Sequence, residues 1–173
     1  MPDIARRLDI SSINIVPFYY FSNATGSQYE EELSKHFNCP AFSWRGFEHD
    51  HSGIDFNLFR EEYHKYIAKL NGITNFPFMA FTEEDYRIWF NDSSTAVGTL
   101  NCMNVEKLID IQPNGDANFC VDFPDYCIGN VKISRLKEIW EGPRAKKFRN
   151  YRRKAPLAIC HRCGAKYISE IKT

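Results

Sequence analysis

Apolar positions in the first hundred residues switch between two periods. Residues 4–8 read as the end of a helix. Residues 13–20 read as a strand apolar on both faces, the pattern of a parallel strand covered on two sides. Residues 28–37 form a short helix, and residues 38–53 a loop rich in Pro, Gly and His. Asp55 caps an amphipathic helix whose Phe56, Phe59, Tyr63, Tyr66, Ile67 and Leu70 share one face and read as core, and Asn71-Gly72 stops it. A strand at 76–81 and a helix at 83–90, N-capped by Thr82, follow. This order implies a parallel α/β arrangement. Two such units are too few to close a barrel, so the front half reads as truncated.

The texture changes at Asn91-Asp92-Ser93-Ser94, which reads as a linker. Residues 107–112 alternate, Pro113-Asn114-Gly115-Asp116 is a strong hairpin turn, and residues 117–121 return. Ser134 is the expected cap of a short helix at 135–140. Pro143 occupies the favoured first position of another, running to Lys154. No internal repeat or low-complexity segment interrupts this order.

Six cysteines change the picture. The opening residues, Met1 to Arg7, contain no apolar signal core, and the longest apolar stretch, residues 13–21, falls well short of the roughly 20 residues that span a bilayer. A cytoplasmic, reducing location is therefore expected, with no membrane, and thiols there serve as ligands, nucleophiles or buried groups rather than as a disulfide framework. Apart from Cys39, they all lie between positions 102 and 163. Cys160 and Cys163 enclose two residues, a spacing that aims two thiolates at one centre from a tight turn and leaves zinc, iron–sulfur and redox use open. The pair follows Pro156-Leu157-Ala158-Ile159 and precedes Gly164 instead of opening a helix, which weakens the redox reading. Upstream, twelve residues separate Cys102 from Gly115 and four separate Gly115 from Cys120. A regular ladder about Asn114-Gly115 would set Cys102 opposite Cys127, so convergence with Cys120 requires Met103 to Glu106 to leave the ladder and curl over the sheet.

The segment from 100 to 167 resembles the Twitch or SPASM auxiliary-cluster region of radical S-adenosylmethionine enzymes. The resemblance is carried by Cys102, Ile109 to Asp116, Phe119-Cys120, Asp122 to Tyr126, Ile128 to Val131, Leu136 to Trp140, Arg149, and Cys160-His161-Arg162-Cys163, in that order. It is closer to the single-cluster Twitch version. What it implies is one auxiliary 4Fe-4S cluster held by Cys102, Cys120, Cys160 and Cys163, with Cys127 a buried thiol outside the set. The implied fold is an α/β partial-barrel remnant over residues 1–92, followed over 93–173 by a small α+β cluster-binding domain with a β-hairpin and C-terminal helices. The implied activity is radical modification of a peptide or small molecule. The family's core cluster needs three cysteines spaced three and two residues apart, and this chain has no such motif. S-adenosylmethionine cleavage then belongs only to the intact enzyme, whose core comes from the same gene or a separate chain.

Other readings compete at several positions. Four thiolates also suit structural zinc, and zinc can take the cluster's place. The alternative function is a zinc-stabilised module that recruits a partner through the basic run Arg144, Lys146, Lys147, Arg149, Arg152, Arg153 and Lys154. With 22 basic and 22 acidic residues, the overall charge argues against nucleic acid, and the run reads as a solvated helix face anchored by Phe148 and Tyr151. His49-Asp50-His51 reads as a polar loop before a metal site, Trp44 to Phe47 as an aromatic anchor or a pocket wall, and Asp122 and Asp125 as turn residues before an acid/base pair. An uncovered barrel edge predicts a homodimer.

Overall fold

The structure is a computed structural model that describes residues 1–16, 19–49, 53–75, 81–97 and 102–163. Its described strands form two small sheets. In the first, β1 (Ser12–Ile13) pairs in parallel with β2 (Thr74–Asn75). In the second, β3 (Asp110–Ile111), β4 (Asp116–Asn118) and β5 (Gly129–Asn130) run antiparallel in that order. Helices α1 (Pro2–Arg7), α2 (Asn23–Phe37), α3 (Phe56–Ala68) and α4 (Glu83–Asn91) come from the front of the chain. The single turn α5 (Asn104–Lys107) and helices α6 (Leu136–Glu141) and α7 (Pro143–Arg152) come from the back. The molecule is thus a mixed α/β fold of short elements.

The front departs from expectation in two places. Among the described residues, the strand expected at 13–20 is regular only at its start, and Val16 is 51% exposed, so cover on both faces does not extend there. Beyond it, Phe21 makes a parallel bridge to Glu48, flanked by the bonds Phe21 N–H to Phe47 O (3.0 Å) and His49 N–H to Phe21 O (3.1 Å). The strand expected at 76–81 falls almost wholly outside the described residues. Helix α3 keeps its cap, with Asp55 accepting from the amides of Asn57 and Leu58, yet none of its residues is buried. Its stripe finds partial cover: Phe59 meets Tyr86 (5.1 Å between ring centres) and Phe90 (4.8 Å) of α4, and Tyr66 packs on a small core of Ala5, Leu70 and Ile73. Helix α4 starts at Thr82 as expected, in a reciprocal capping box with Asp85.

Helix α2 begins at Asn23, ahead of the expected 28, because the Ser22 hydroxyl accepts from the Thr25 amide (3.2 Å) and caps the end. Its Tyr29, Leu33 and Phe37 recur every four residues and are buried in the largest core. That core takes Phe21, Ala41 and Trp44 from the front and Val105, Phe119, Phe123, Ile139, Phe148 and Ile159 from the back, so both halves of the chain share it.

In the antiparallel sheet, Gly115 takes a positive φ of 92° that permits the tight turn, and β3 pairs with β4 through Asp110↔Asn118 and Ile111↔Ala117. The sequence gives no sign of β5, which pairs with β4 through Ala117↔Gly129. Helix α6 is capped at Arg135, whose amide donates to the Glu138 carboxylate (3.0 Å), and not at Ser134, whose amide is taken up by Asn130 O. Helix α7 begins at Pro143, as the sequence predicts.

The Trp44 indole lies against the α2 backbone at Gly26, where an added Cβ would come within 2.1 Å of the ring. We expect Gly26→Ala to destabilise the metal-free protein by about 1–3 kcal/mol, since the ring is buried and has nowhere to move. Urea denaturation followed by tryptophan fluorescence measures this, and an unchanged midpoint would contradict the packing.

Candidate metal centre

Three separate stretches of backbone supply cysteines to one enclosed cavity of about 40 Å³. Cys102 precedes α5, Cys120 follows β4, and Cys160 and Cys163 belong to the 3-10 turn Ala158–Arg162 and its exit. All four line the cavity, together with Tyr29, Asn118, Phe123 and Arg152. The ladder arithmetic is resolved by α5: residues 104–107 coil into a helical turn, leave the hairpin and carry Cys102 over the sheet. Cys127 is not in the cavity wall and donates its thiol to Gly129 O (3.1 Å). Cys39 likewise bonds Asp125 O (3.1 Å). Among the described residues, no disulfide joins the cysteines.

Two sets of bonds hold the walls in place. The Ala158 amide donates to Glu32 of α2 (2.8 Å), which fixes the start of the 3-10 turn. At its end Arg162, fully buried, donates to Trp89 O and to Ser93 O (3.4 Å), carbonyls at and beyond the C-terminus of α4. Its guanidinium also lies over the rings of Trp89 (4.7 Å) and Tyr20 (5.1 Å). On the opposite side, Asp125 accepts from the backbone amides of Phe42 (2.8 Å) and Ser43 (3.1 Å), the Ser43 hydroxyl and the Tyr29 hydroxyl (3.0 Å). This ties the loop after Cys120 to α2 and the Trp44 turn.

Residues 102–164 match the SPASM iron-sulfur cluster-binding domain. No curated protein and no solved structure matches the chain. The match begins at Cys102 and takes in Cys160 and Cys163, so every thiol on the cavity lies within the SPASM region.

Within the matched stretch, burial and neighbouring thiols hold Cys120 and Cys160 in their protonated form. Burial pushes the Cys120 thiol well above its ordinary range, and the neighbouring Cys163 and Cys160 push it further. Burial also lifts Cys160 to about 12, with Arg152 pulling the other way and Cys163 adding to the rise. Tyr19 is raised by burial and then by the charges of Cys163, Asp122 and Cys120, which places it beside the same cavity. Four soft sulfur donors on a mostly apolar cavity match the donor chemistry of an iron–sulfur cluster or a thiolate-bound metal. Among the described residues, no group of three or more His, Cys, Asp or Glu is drawn together tightly enough to clamp a single ion. Asn118, also on the cavity, has neither its Nδ2 nor its Oδ1 hydrogen-bonded among the described residues.

The other sequence-predicted positions are settled one by one. The basic run is a solvated face at Arg144, Lys146, Lys147, Arg153 and Lys154, as expected, but not at two of its arginines. Arg149 and Arg152 are buried, Arg149 stacking on Trp140 (4.6 Å) and Phe119 (5.3 Å) and donating to Trp140 O, and Arg152 bonding Ala155 O (2.7 Å). Arg144 lies over Tyr126 and bonds Cys127 O, Lys147 lies over Phe37, and Arg153 makes a forked pair with Glu106. Phe148 is buried and Tyr151 half-buried, as anchors should be. Trp44 is an anchor, its Nε1–H donating to Glu30 (2.9 Å), while Gly46 and Phe47 line a shallow hollow with Tyr19 and His49. Asp50 and His51 lie outside the described residues. Asp125 is a cross-link between distant segments, and Asp122 is raised first by burial and then by Asp110. Among the described residues, no helix is long and apolar enough to cross a membrane.

Because Cys120 and Cys160 hold their protons well above neutral pH, a metal must displace them. Uptake of ferrous or zinc ion by the metal-free, reduced protein should therefore release protons near pH 7.5 and tighten as pH rises from about 6 to 9. Calorimetry in two buffers of different ionisation enthalpy reads the released protons; uptake without release would contradict thiol ligation.

Proposed function

We propose that Cys102, Cys120, Cys160 and Cys163 hold one auxiliary 4Fe-4S cluster in the C-terminal part of a radical S-adenosylmethionine enzyme. One observation carries this reading: four thiols from three segments line a single enclosed cavity inside the stretch that matches the SPASM domain. A cluster bound there supplies one-electron transfer to or from a substrate, or a fixed anchor for it. The chain's own residues do the rest. Glu32 and Arg162 lock the turn that bears Cys160 and Cys163, Asp125 the loop after Cys120, and the Arg153–Glu106 pair ties α5, next to Cys102, to the end of α7, while Phe119, Phe123 and Ile159 exclude water from the sulfurs. Arg152, on the cavity wall, sets a positive charge near the thiolates and favours their ionised form.

On this reading residues 1–92 supply the last strands and helices of a partial barrel, and the parallel pairing of β1 with β2 supports that role. The three-and-two spaced cysteine motif of a core cluster is missing from this sequence, so cleavage of S-adenosylmethionine requires a core from elsewhere in the same gene or from another chain. Radical modification of a peptide or small molecule in a reducing cytoplasm completes the proposal. The rival, a zinc module that recruits a partner through the basic helix, has less behind it. Two arginines of α7, Arg149 and Arg152, are buried against ring faces and carbonyls within the chain and are not available to a partner.

Protein purified without oxygen should carry iron and acid-labile sulfide in near-equal amounts, with a broad absorbance near roughly 400 nm. Serine at Cys102, Cys120, Cys160 or Cys163 should remove most of the iron, while serine at Cys39 or Cys127 should leave it in place. Stoichiometric zinc without sulfide under those conditions would overturn the cluster.

A further inference from the structure

Asn118 is the last residue of β4, and its backbone pairs with Asp110 across the hairpin. Its side chain is 2% exposed and faces the thiol cavity. Neither its amide nitrogen nor its carbonyl oxygen has a hydrogen-bond partner among the described residues. A buried carboxamide left unpaired costs about 1–3 kcal/mol, and a leucine of similar size would carry no such cost. Val105, Phe119, Phe123, Leu157 and Ile159 on that wall are apolar and need none, while Tyr29, Tyr126 and Arg152 are hydrogen-bonded to protein oxygens; Asn104 is the other carboxamide on the wall. A polar group kept at this cost on the cavity wall is placed for a ligand inside the cavity. Thiolate and sulfide sulfurs are acceptors without donors, so the Nδ2–H end is the one that serves.

We propose that Asn118 is a positioning residue that donates an Nδ2–H hydrogen bond to a sulfur of the centre bound by Cys102, Cys120, Cys160 and Cys163, raising its reduction potential. This rests on the cluster reading above. A donor to sulfur offsets negative charge, which is greater after reduction, so it favours the reduced state. Replacing it by an apolar group should lower the potential, and replacing it by an acceptor should lower it at least as far.

The test uses the full chain purified without oxygen. Iron and sulfide in the wild-type protein read the cluster assignment, and the potential reads Asn118, so the two claims fail separately. Asn118→Leu and Asn118→Asp are compared with wild type by redox titration followed by EPR. We expect the ratio of reduced to oxidised centre at fixed potential to fall about tenfold in Asn118→Leu, a drop of ~59 mV for a one-electron couple, and no less in Asn118→Asp. An unchanged potential in fully loaded variants would overturn the proposal by giving Asn118 a merely structural role. Should neither variant load, pulsed EPR of the reduced protein labelled with ¹⁵N at asparagine side chains, in an Asn104→Ala background, decides it. A nitrogen coupling supports the bond, and none refutes it.

Discussion

Holding Cys160 and Cys163 against Cys102 and Cys120 depends on clamping one short 3-10 turn from both ends. Glu32 takes the first amide of that turn, and Arg162 at its far end docks on the last carbonyls of α4. The docking is favourable because a helix C-terminus presents unpaired carbonyls and the negative end of its dipole, and a guanidinium answers both. The Tyr20 hydroxyl joins it by donating to the same Trp89 carbonyl (2.9 Å). Without this clamp the two late cysteines would sit on a free loop and the cavity would have no floor.

The same economy recurs in the back half. Arginines that would ordinarily be solvated are turned inward, where ring faces and carbonyl oxygens compensate the lost water. Arg149 lies over the rings of Trp140 and Phe119, and Arg152 sits on the cavity wall beside the thiols. Arg152 thus sets positive charge beside groups that, on the proposed reading, become anionic on binding metal. The raised protonation range of Cys120 and Cys160 is the counterpart: without a cation, thiolates buried at these two positions are an expensive arrangement.

Much of the site was legible because its signals are local. The spacing about Gly115 predicted the hairpin, the register arithmetic required residues 103–106 to leave the ladder, and α5 does so at 104–107. The caps at Asp55 and Thr82 and the start at Pro143 also followed from neighbouring residues. What escaped was non-local. The role of Asp125 depends on amides more than eighty positions away, at Phe42 and Ser43. The inward arginines bond backbone carbonyls and aromatic faces, which leave no pattern of opposite charges to read. Periodicity in α3 identified its apolar face but not how much of it finds cover. Strand β5 has two residues and no alternation to reveal it.

The central claim is that sulfurs from three segments surround one polynuclear iron centre. X-ray absorption at the iron edge, on protein purified without oxygen, tests it most directly. The account predicts a first shell of sulfur alone and a second shell from iron neighbours; an iron site with oxygen or nitrogen ligands and no metal–metal scattering would contradict it.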